Sequence, residues 1–225
     1  RAEHPNVLQK TSAKEFVHST NCQTALDVNR VKTVPIGALA STPMLLRNEL
    51  GSYPIWMTDR YGFNNPDSIW DEISLIDSII IGDSFAAGES LEQGDGIADQ
   101  LRKLDHESLN VASFGAGPLV ALAQLREYGN SMQTDYVFWI YYHGNDFTDL
   151  ASELNHPVIK RYLDPAFSQN LRANWASIDP VYREYTLSVL AAQSEIRNGS
   201  RCQTVSDLRF RVGEITSLIN FKNTA

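Results

Sequence analysis

Three apolar runs, each followed by a turn of glycine and polar residues, constrain the fold of this chain more than any other feature of its sequence. They cover residues 75–81, 109–112 and 136–142. The first two are followed by helical patterns, and the third is apolar or aromatic on both faces, which is typical of a central strand covered on both sides. Alternating strands and helices of this kind predict an α/β fold with a parallel sheet and helices on both faces.

Candidate site residues follow each of the three predicted strands. Ser84 follows the first in Gly82-Asp83-Ser84, Gly115 follows the second, and Asn145 follows the third. Ligands of parallel sheets bind at the carboxyl ends of the strands, so we expect these residues to lie together. Acyl transfer from an ester needs a nucleophile and hydrogen-bond donors for the oxygen that becomes negative. A serine at a helix start, a glycine N–H and an amide side chain are suited to those roles.

The segments that carry these three residues resemble sequence blocks of a known family. The GDS tripeptide at residues 82–84, the later Gly115 and the GND tripeptide at residues 144–146 resemble, in this order, the first three blocks of the SGNH (GDSL) hydrolase superfamily. Residues 58–67 are similar to a lead-in found in its bacterial members. The resemblance covers residues 74–150 and implies a flavodoxin-like three-layer α/β/α fold. It also implies Ser84 as nucleophile, with an oxyanion hole made by the N–H groups of Ser84 and Gly115 and the side-chain amide of Asn145.

The resemblance implies a serine esterase that hydrolyses a small or carbohydrate-borne acyl ester through an acyl-serine intermediate, without a cofactor or metal. O-acyl transfer to a glycan uses the same intermediate and stays an alternative. An inactive SGNH-like module that binds a glycan or has a structural role is a second alternative. The resemblance also favours a bacterial periplasmic, cell-envelope or secreted location.

The catalytic base is the component that the sequence does not supply. SGNH hydrolases carry a fourth block, Asp-x-x-His, late in the chain, and no histidine follows His156. Because fewer strands are visible than the usual five, we expect the domain to be truncated at its C-terminus and the isolated chain to be a poor esterase. His143 is one candidate base within the sequence. Glu153 and His156 are another, because a carboxylate at this spacing can orient an imidazole.

The candidate site residues also have ordinary structural explanations. Serine and asparagine are favoured helix caps, which offers a different role for Ser84 and for Asn145. Asp83 is expected to hold its turn through side-chain to backbone hydrogen bonds. Gly117 is interpreted as a turn residue rather than a site residue.

The sequence divides at residue 73. Residues 1–73 are interpreted as an N-terminal extended arm and flanking strand: residues 1–50 are polar and poorly periodic, with at most one short helix, and residues 48–67 predict a strand and a turn. Residues 74–225 form the predicted SGNH-like α/β domain. Beyond residue 147, amphipathic helices are predicted, including residues 208–219, with interruptions at Pro157, Pro165 and Pro180.

Composition excludes several function classes. A chain of 225 residues with 43% hydrophobic residues can bury one sizeable core. A net charge of -8 argues against nucleic acid or an anionic membrane surface as partner. No stretch reaches the ~18 apolar residues of a membrane span. Cys22 and Cys202 lack metal-site spacing and leave a disulfide or two thiols equally open. The expected partner is the acyl ester itself, and the oligomeric state is left open.

Overall fold

The computed structural model of the chain describes residues 17–18, 24–49, 51–71, 76–130 and 132–198. The chain divides into two compact units, Arg1–Tyr182 and Arg183–Ala225. All elements discussed below belong to the first unit, apart from the part of the last helix that follows Tyr182. Cys22, Cys202 and the predicted helix at residues 208–219 lie outside the described residues.

Five short strands precede the central sheet: β1 (Val17–His18), β2 (Leu26–Val28), β3 (Val31–Thr33), β4 (Pro43–Leu45) and β5 (Ile55–Met57). β2 and β3 form an antiparallel hairpin, while β4 pairs with β1 in parallel and with β5 antiparallel. Residues 24–49, which the sequence predicts as part of an extended arm, form strands, contain no helix, and bury Val34, Leu39 and Met44. Strands of three residues are too short to show a period. The strand predicted within residues 48–67 is present as β5.

The central sheet has three parallel strands. After a 3₁₀ helix (Asp67–Trp70), the chain forms β6 (Ile76–Gly82), α1 (Ser84–Ala87), α2 (Ile97–Arg102), β7 (Ser108–Asn110), α3 (Pro118–Gln124) with a π-helical turn (Leu125–Gly129), and β8 (Thr134–Ile140). β6 lies in the middle and pairs in parallel with β7 and β8. The predicted α/β class and parallel sheet are confirmed, and the carboxyl ends of all three strands meet at one edge.

β8 differs from its prediction as a covered central strand. It is an edge strand of the sheet, and its five middle residues are exposed. Tyr136 and Trp139, on opposite faces of the strand, are 62% and 49% exposed. Six of the seven residues of β6 are buried, so β6 is the strand that fits the description of a covered strand. An aromatic run shows that a strand suits a covered environment, but it does not show which element covers it.

Helices follow β8, as predicted: α4 (Asp146–Asn155), a 3₁₀ helix (Ile159–Leu163) and α5 (Leu171–Asn198). Pro157 and Pro165 lie between these elements, but Pro180 lies inside α5, so the predicted interruption there is wrong. An internal proline costs a helix about 3 kcal/mol. Burial of Trp175 and Ile178 on one face of α5 offsets this cost. Within the described residues, no helix is both long and apolar enough to cross a membrane.

Candidate functional site

The turn after β6 places Ser84 at the first position of α1. Gly82 has φ +144°, and a Cβ atom there would lie 2.5 Å from the Ile140 carbonyl oxygen, so only glycine fits. The residue that caps α1 is Asp83, whose buried carboxylate accepts the Phe85 N–H at 2.9 Å. The structural role expected for Asp83 is confirmed. Ser84 is not the cap, and it is partly exposed at the first position of α1.

Asparagine side chains hold the other end of α1. Asn64 donates its amide N–H to the Ala87 carbonyl at 3.1 Å, and Asn110 donates to the Ala86 carbonyl at 2.9 Å. Asn65 in turn accepts the Asn110 backbone N–H at 2.9 Å and donates to its carbonyl at 2.8 Å. A four-residue helix cannot satisfy its own last carbonyls, so these side chains stabilise the segment that carries Ser84.

A buried carboxylate organises the loop that supplies these asparagines. Asp59 is 1% exposed and accepts the backbone N–H groups of Tyr61 and Phe63 at 2.9 Å. Its other oxygen accepts the Asn65 amide and the Trp70 indole N–H, both at 2.8 Å. Burial raises the pKa of Asp59, and the four hydrogen bonds oppose that rise. The lead-in at residues 58–67 is therefore a rigid support for the serine and for the end of β7.

Gln124 joins the first block to the second. Its side chain is fully buried in α3, accepts the Gly82 N–H at 2.9 Å and donates to the Gly82 carbonyl at 2.9 Å. The same amide nitrogen donates to Ser113 Oγ at 3.0 Å. Ser113 lies two residues before Gly115, which is partly exposed and has φ +67°. The ends of β6 and β7 are thus connected through one buried side chain.

Asn145, the middle residue of the third block, occupies the N-cap position of α4. Its side chain makes no capping hydrogen bond, and its amide nitrogen donates instead to Asp149 Oδ2 at 2.7 Å. Because an amide nitrogen carries two hydrogens, one N–H remains for another acceptor. Gly144 before it lies so close to Tyr142 that a Cβ atom would be 2.5 Å from the ring. The capping explanation for Asn145 therefore fits its position but not its side chain.

Carboxylates surround the three loops. Asp83 and Asp146 are each 2% exposed, and Asp146 accepts the Tyr142 N–H at 2.9 Å. Burial raises the pKa of Asp83, and the charges of Asp146 and Asp149 raise it further. Burial also raises the pKa of Asp149, against its hydrogen bond from Asn145. Negative charge here disfavours anionic ligands. Across the described ranges, no group of three or more His, Cys, Asp or Glu side chains is arranged to hold a metal ion.

The two candidate bases lie in different surroundings. His143 is exposed, and no hydrogen bond joins it to Ser84. Glu153 is fully buried, and its oxygens accept the N–H groups of Gly117 at 2.7 Å and Leu119 at 2.9 Å, at the start of α3.

The His156 side chain contacts the start of the next helix. Its Nδ1 accepts the N–H groups of Val158 at 3.2 Å and Ile159 at 3.1 Å. Glu153 and His156 therefore each accept backbone N–H groups at a helix start. Gly117 donates to Glu153, which agrees with its interpretation as a turn residue.

A contact between two aromatic rings joins the first and third blocks. The Phe85 and Tyr142 rings, next to the first and third blocks, lie 4.5 Å apart between centroids. Both rings are exposed, Phe85 at 58% and Tyr142 at 43%.

No protein-family model, curated protein or solved structure matches the chain. The sequence patterns do not identify the supporting residues Asn65, Asn110 and Gln124. A polar residue that ends an apolar strand or lies on an apolar helix face is a sequence signal that could have indicated such a buried supporting role.

Proposed function

We propose that this chain carries the nucleophile and the oxyanion-binding loops of an SGNH-type serine ester hydrolase with a flavodoxin-like three-layer α/β/α fold. The observation that supports the proposal is the placement of the three loops, because Ser84, Gly115 and Asn145 each follow a different strand of one parallel sheet. The buried Gln124 side chain links the first two loops, and the Phe85 and Tyr142 rings are in contact between the first and the third. Parallel sheets bind their ligands at the carboxyl ends of their strands.

Ser84 is the proposed nucleophile. Its Oγ bonds to the acyl carbon, the carbonyl π electrons move to the oxygen, and the Ser84 proton passes to a base and then to the departing alcohol. Water, deprotonated by the same base, attacks the acyl-serine, and the acid leaves as the proton returns to Ser84 Oγ. The position of Ser84 at the start of α1 supports this role because the helix N-terminus favours the developing negative charge.

The oxyanion is bound by N–H groups from all three loops. The backbone N–H groups of Ser84 and Gly115 contribute two donors, and the Asn145 amide contributes the N–H that Asp149 does not accept. Asp149 fixes the rotamer of Asn145, so this donor is oriented before the substrate binds. The carboxylates Asp83, Asp146 and Asp149 favour an uncharged acyl ester, small or borne on a carbohydrate, over an anionic one.

Among the described residues, no hydrogen bond joins His143 to Ser84, and the His156 Nδ1 accepts backbone N–H groups. The proposed mechanism therefore takes its proton acceptor from elsewhere. The same observation favours one rival function, an inactive module that binds an acylated glycan and leaves the ester intact. The two functions differ in whether Ser84 becomes acylated.

Acylation of Ser84 tests the proposal without the native base. The chain is incubated with p-nitrophenyl acetate, with and without added imidazole as an external base, and analysed by intact and peptide mass spectrometry. We expect slow acetylation of Ser84 that imidazole accelerates, and no such adduct in Ser84→Ala. The matched control is Ser68→Ala, an exposed serine in the 3₁₀ helix Asp67–Trp70. Acetylation spread equally over Ser68 and Ser84 would contradict the proposal and favour the binding module.

A further inference from the structure

One face of α4 connects the second and the third of the proposed oxyanion loops. Asn145, Asp149 and Glu153 follow one another at intervals of four residues, a spacing that places their side chains on one face of the helix. Asn145 is the proposed donor of the third loop. Glu153 accepts the N–H of Gly117, which lies two residues after Gly115, the proposed donor of the second loop. The α4 face therefore holds parts of both loops.

Asp149, in the middle of the α4 face, is bound to Asn145 in two ways. Its Oδ2 accepts the Asn145 side-chain N–H at 2.7 Å, and its backbone N–H donates to the Asn145 carbonyl at 2.9 Å. An ionised carboxylate only accepts hydrogen bonds, so the nitrogen of the amide, and not its oxygen, must face Asp149. The direction of the second N–H is then fixed, because both hydrogens lie in the plane of the amide.

Gly117 lets the second loop pack directly against Asp149. A Cβ atom on Gly117 would lie 2.8 Å from the Asp149 Cβ and 2.9 Å from Glu153 Oε2. The Gly117 φ of −91° suits any residue, so glycine is needed here for space and not for its conformation. Because protein interiors are close-packed, a methyl group at this point would push α4 and the second loop apart.

We propose that Asp149 is a positioning residue of the oxyanion site: packed against Gly117, it sets where the Asn145 amide lies relative to the Gly115 N–H. Asp149 acts through Asn145 and not on the ester itself. Gly117 has the matching role in the second loop, since its contact with Asp149 sets the separation of the two donors. This role rests on the proposed function of Asn145 as an oxyanion donor, and such donors are most effective when their positions are fixed before the reaction.

The charge and the hydrogen bond of Asp149 have opposite effects on the reaction. A carboxylate near the oxyanion disfavours the developing negative charge, so removal of the charge alone should not slow acetylation of Ser84. Loss of the acceptor releases the Asn145 amide and should slow it. Because Asp149 is partly exposed, water screens its charge, and we expect positioning to be the larger effect. Asp149→Asn removes the charge and keeps an accepting oxygen, whereas Asp149→Ala removes both.

Rates of Ser84 acetylation by p-nitrophenyl acetate and imidazole, measured by peptide mass spectrometry, separate the two effects. We expect Asp149→Ala to react about tenfold more slowly than the parent and Asp149→Asn to react at least as fast as the parent. In an Asn145→Ala background, Asp149→Ala should cause no further slowing, because the two residues act as one unit. The matched control is Thr148→Ala, an exposed neighbour on α4 that should leave the rate unchanged.

The Asn145 side-chain amide provides a readout that does not need the reaction. Its two N–H signals in ¹H–¹⁵N spectra are assigned by their loss in Asn145→Ala. In Asp149→Ala we expect one proton signal to move upfield, because that proton loses its carboxylate acceptor. Gly117→Ala should also shift the pair of signals, and Thr148→Ala should not. Circular dichroism checks that all variants fold.

Three results would overturn the proposal. Equal acceleration in Asp149→Asn and Asp149→Ala would mean that Asp149 acts only as a repelling charge. Further slowing by Asp149→Ala in the Asn145→Ala background would mean that it acts on the ester by another route. Unchanged amide signals in both Asp149→Ala and Gly117→Ala would overturn the positioning whether or not Ser84 reacts.

Failure of the proposed function has a different signature. The parent would then show no specific acetylation of Ser84, while the Asn145 amide signals would still respond to Asp149→Ala and Gly117→Ala. In that case the placement of the Asn145 amide by Asp149 stands, and its role in oxyanion binding is overturned.

Discussion

Glu153→Ala removes a buried acceptor from the start of α3. The two carboxylate oxygens accept three backbone N–H groups, from Gly117 at 2.7 Å, Leu119 at 2.9 Å and Val120 at 3.3 Å. The first helical N–H groups have no partner within their own helix, and Glu153 is fully buried, so water does not replace the lost bonds. Alanine leaves all three donors without an acceptor.

The cost of this substitution can be worked from those contacts. A buried donor without an acceptor costs about 1–3 kcal/mol, which puts the range for three donors at roughly 3–9 kcal/mol. Small shifts of the helix end recover part of this free energy. Loss of one partner of a buried charged contact costs about 3–5 kcal/mol. We expect Glu153→Ala to lower the free energy of unfolding by about 4 kcal/mol. Glu153→Gln keeps one accepting oxygen and should lose about half as much.

Urea unfolding at pH 7, followed by far-ultraviolet circular dichroism, measures the change through the midpoint and slope. Glu107→Ala is the matched control, because Glu107 is exposed and should stay within about 0.5 kcal/mol of the parent. A loss below about 1 kcal/mol for Glu153→Ala, or equal losses for Glu153→Gln and Glu153→Ala, would refute the reasoning from three backbone donors that lose their acceptor.

Three other predictions concern the site. Asn110→Ala removes the acceptor of the Ala112 N–H and the donor to the Ala86 carbonyl. Urea unfolding should show a free energy of unfolding lower by about 2–4 kcal/mol. The control Asn48→Ala, at an exposed hydrogen bond, should lose about 0.5 kcal/mol. Asn145→Ala should slow imidazole-assisted acetylation of Ser84 by about 10²–10³, and a loss under tenfold would remove Asn145 from the oxyanion site. Burial is the main cause of a raised pKa in four carboxyl groups: Asp59, Asp83, Asp149 and Glu153. Because these pKa values are raised in the folded state, the native state binds more protons than the unfolded state. The stability that these groups contribute is therefore present below about pH 4 and is lost as pH rises through their folded pKa values. The urea midpoint should therefore be higher at pH 5 than at pH 7, and a lower midpoint at pH 5 would contradict this sign.

The sequence predicts the central sheet well because its strands have strong local patterns. The run at residues 75–81 corresponds to β6 at Ile76–Gly82, and Pro118 begins α3 as its fixed φ favours. The positions of Ser84, Gly115 and Asn145 after three strands follow from the same patterns, since parallel strands end at one edge. The short strands before residue 46 and the continuation of α5 through Pro180 are not predicted from the sequence, because distant packing decides them.

The sequence by itself determined the α/β class, the three loops and the glycines that the turns require, because these depend on residues close together in the chain. Only the tertiary structure decided that Asn65 bonds to both backbone groups of Asn110, that Gln124 joins Gly82 to Ser113, and that Glu153 accepts N–H groups at the start of α3. Those hydrogen bonds join residues that are far apart in sequence, and an isolated amide or carboxylate in the sequence does not specify its partner. The same reason makes β8 an exposed edge, since burial of an aromatic strand depends on what lies beside it.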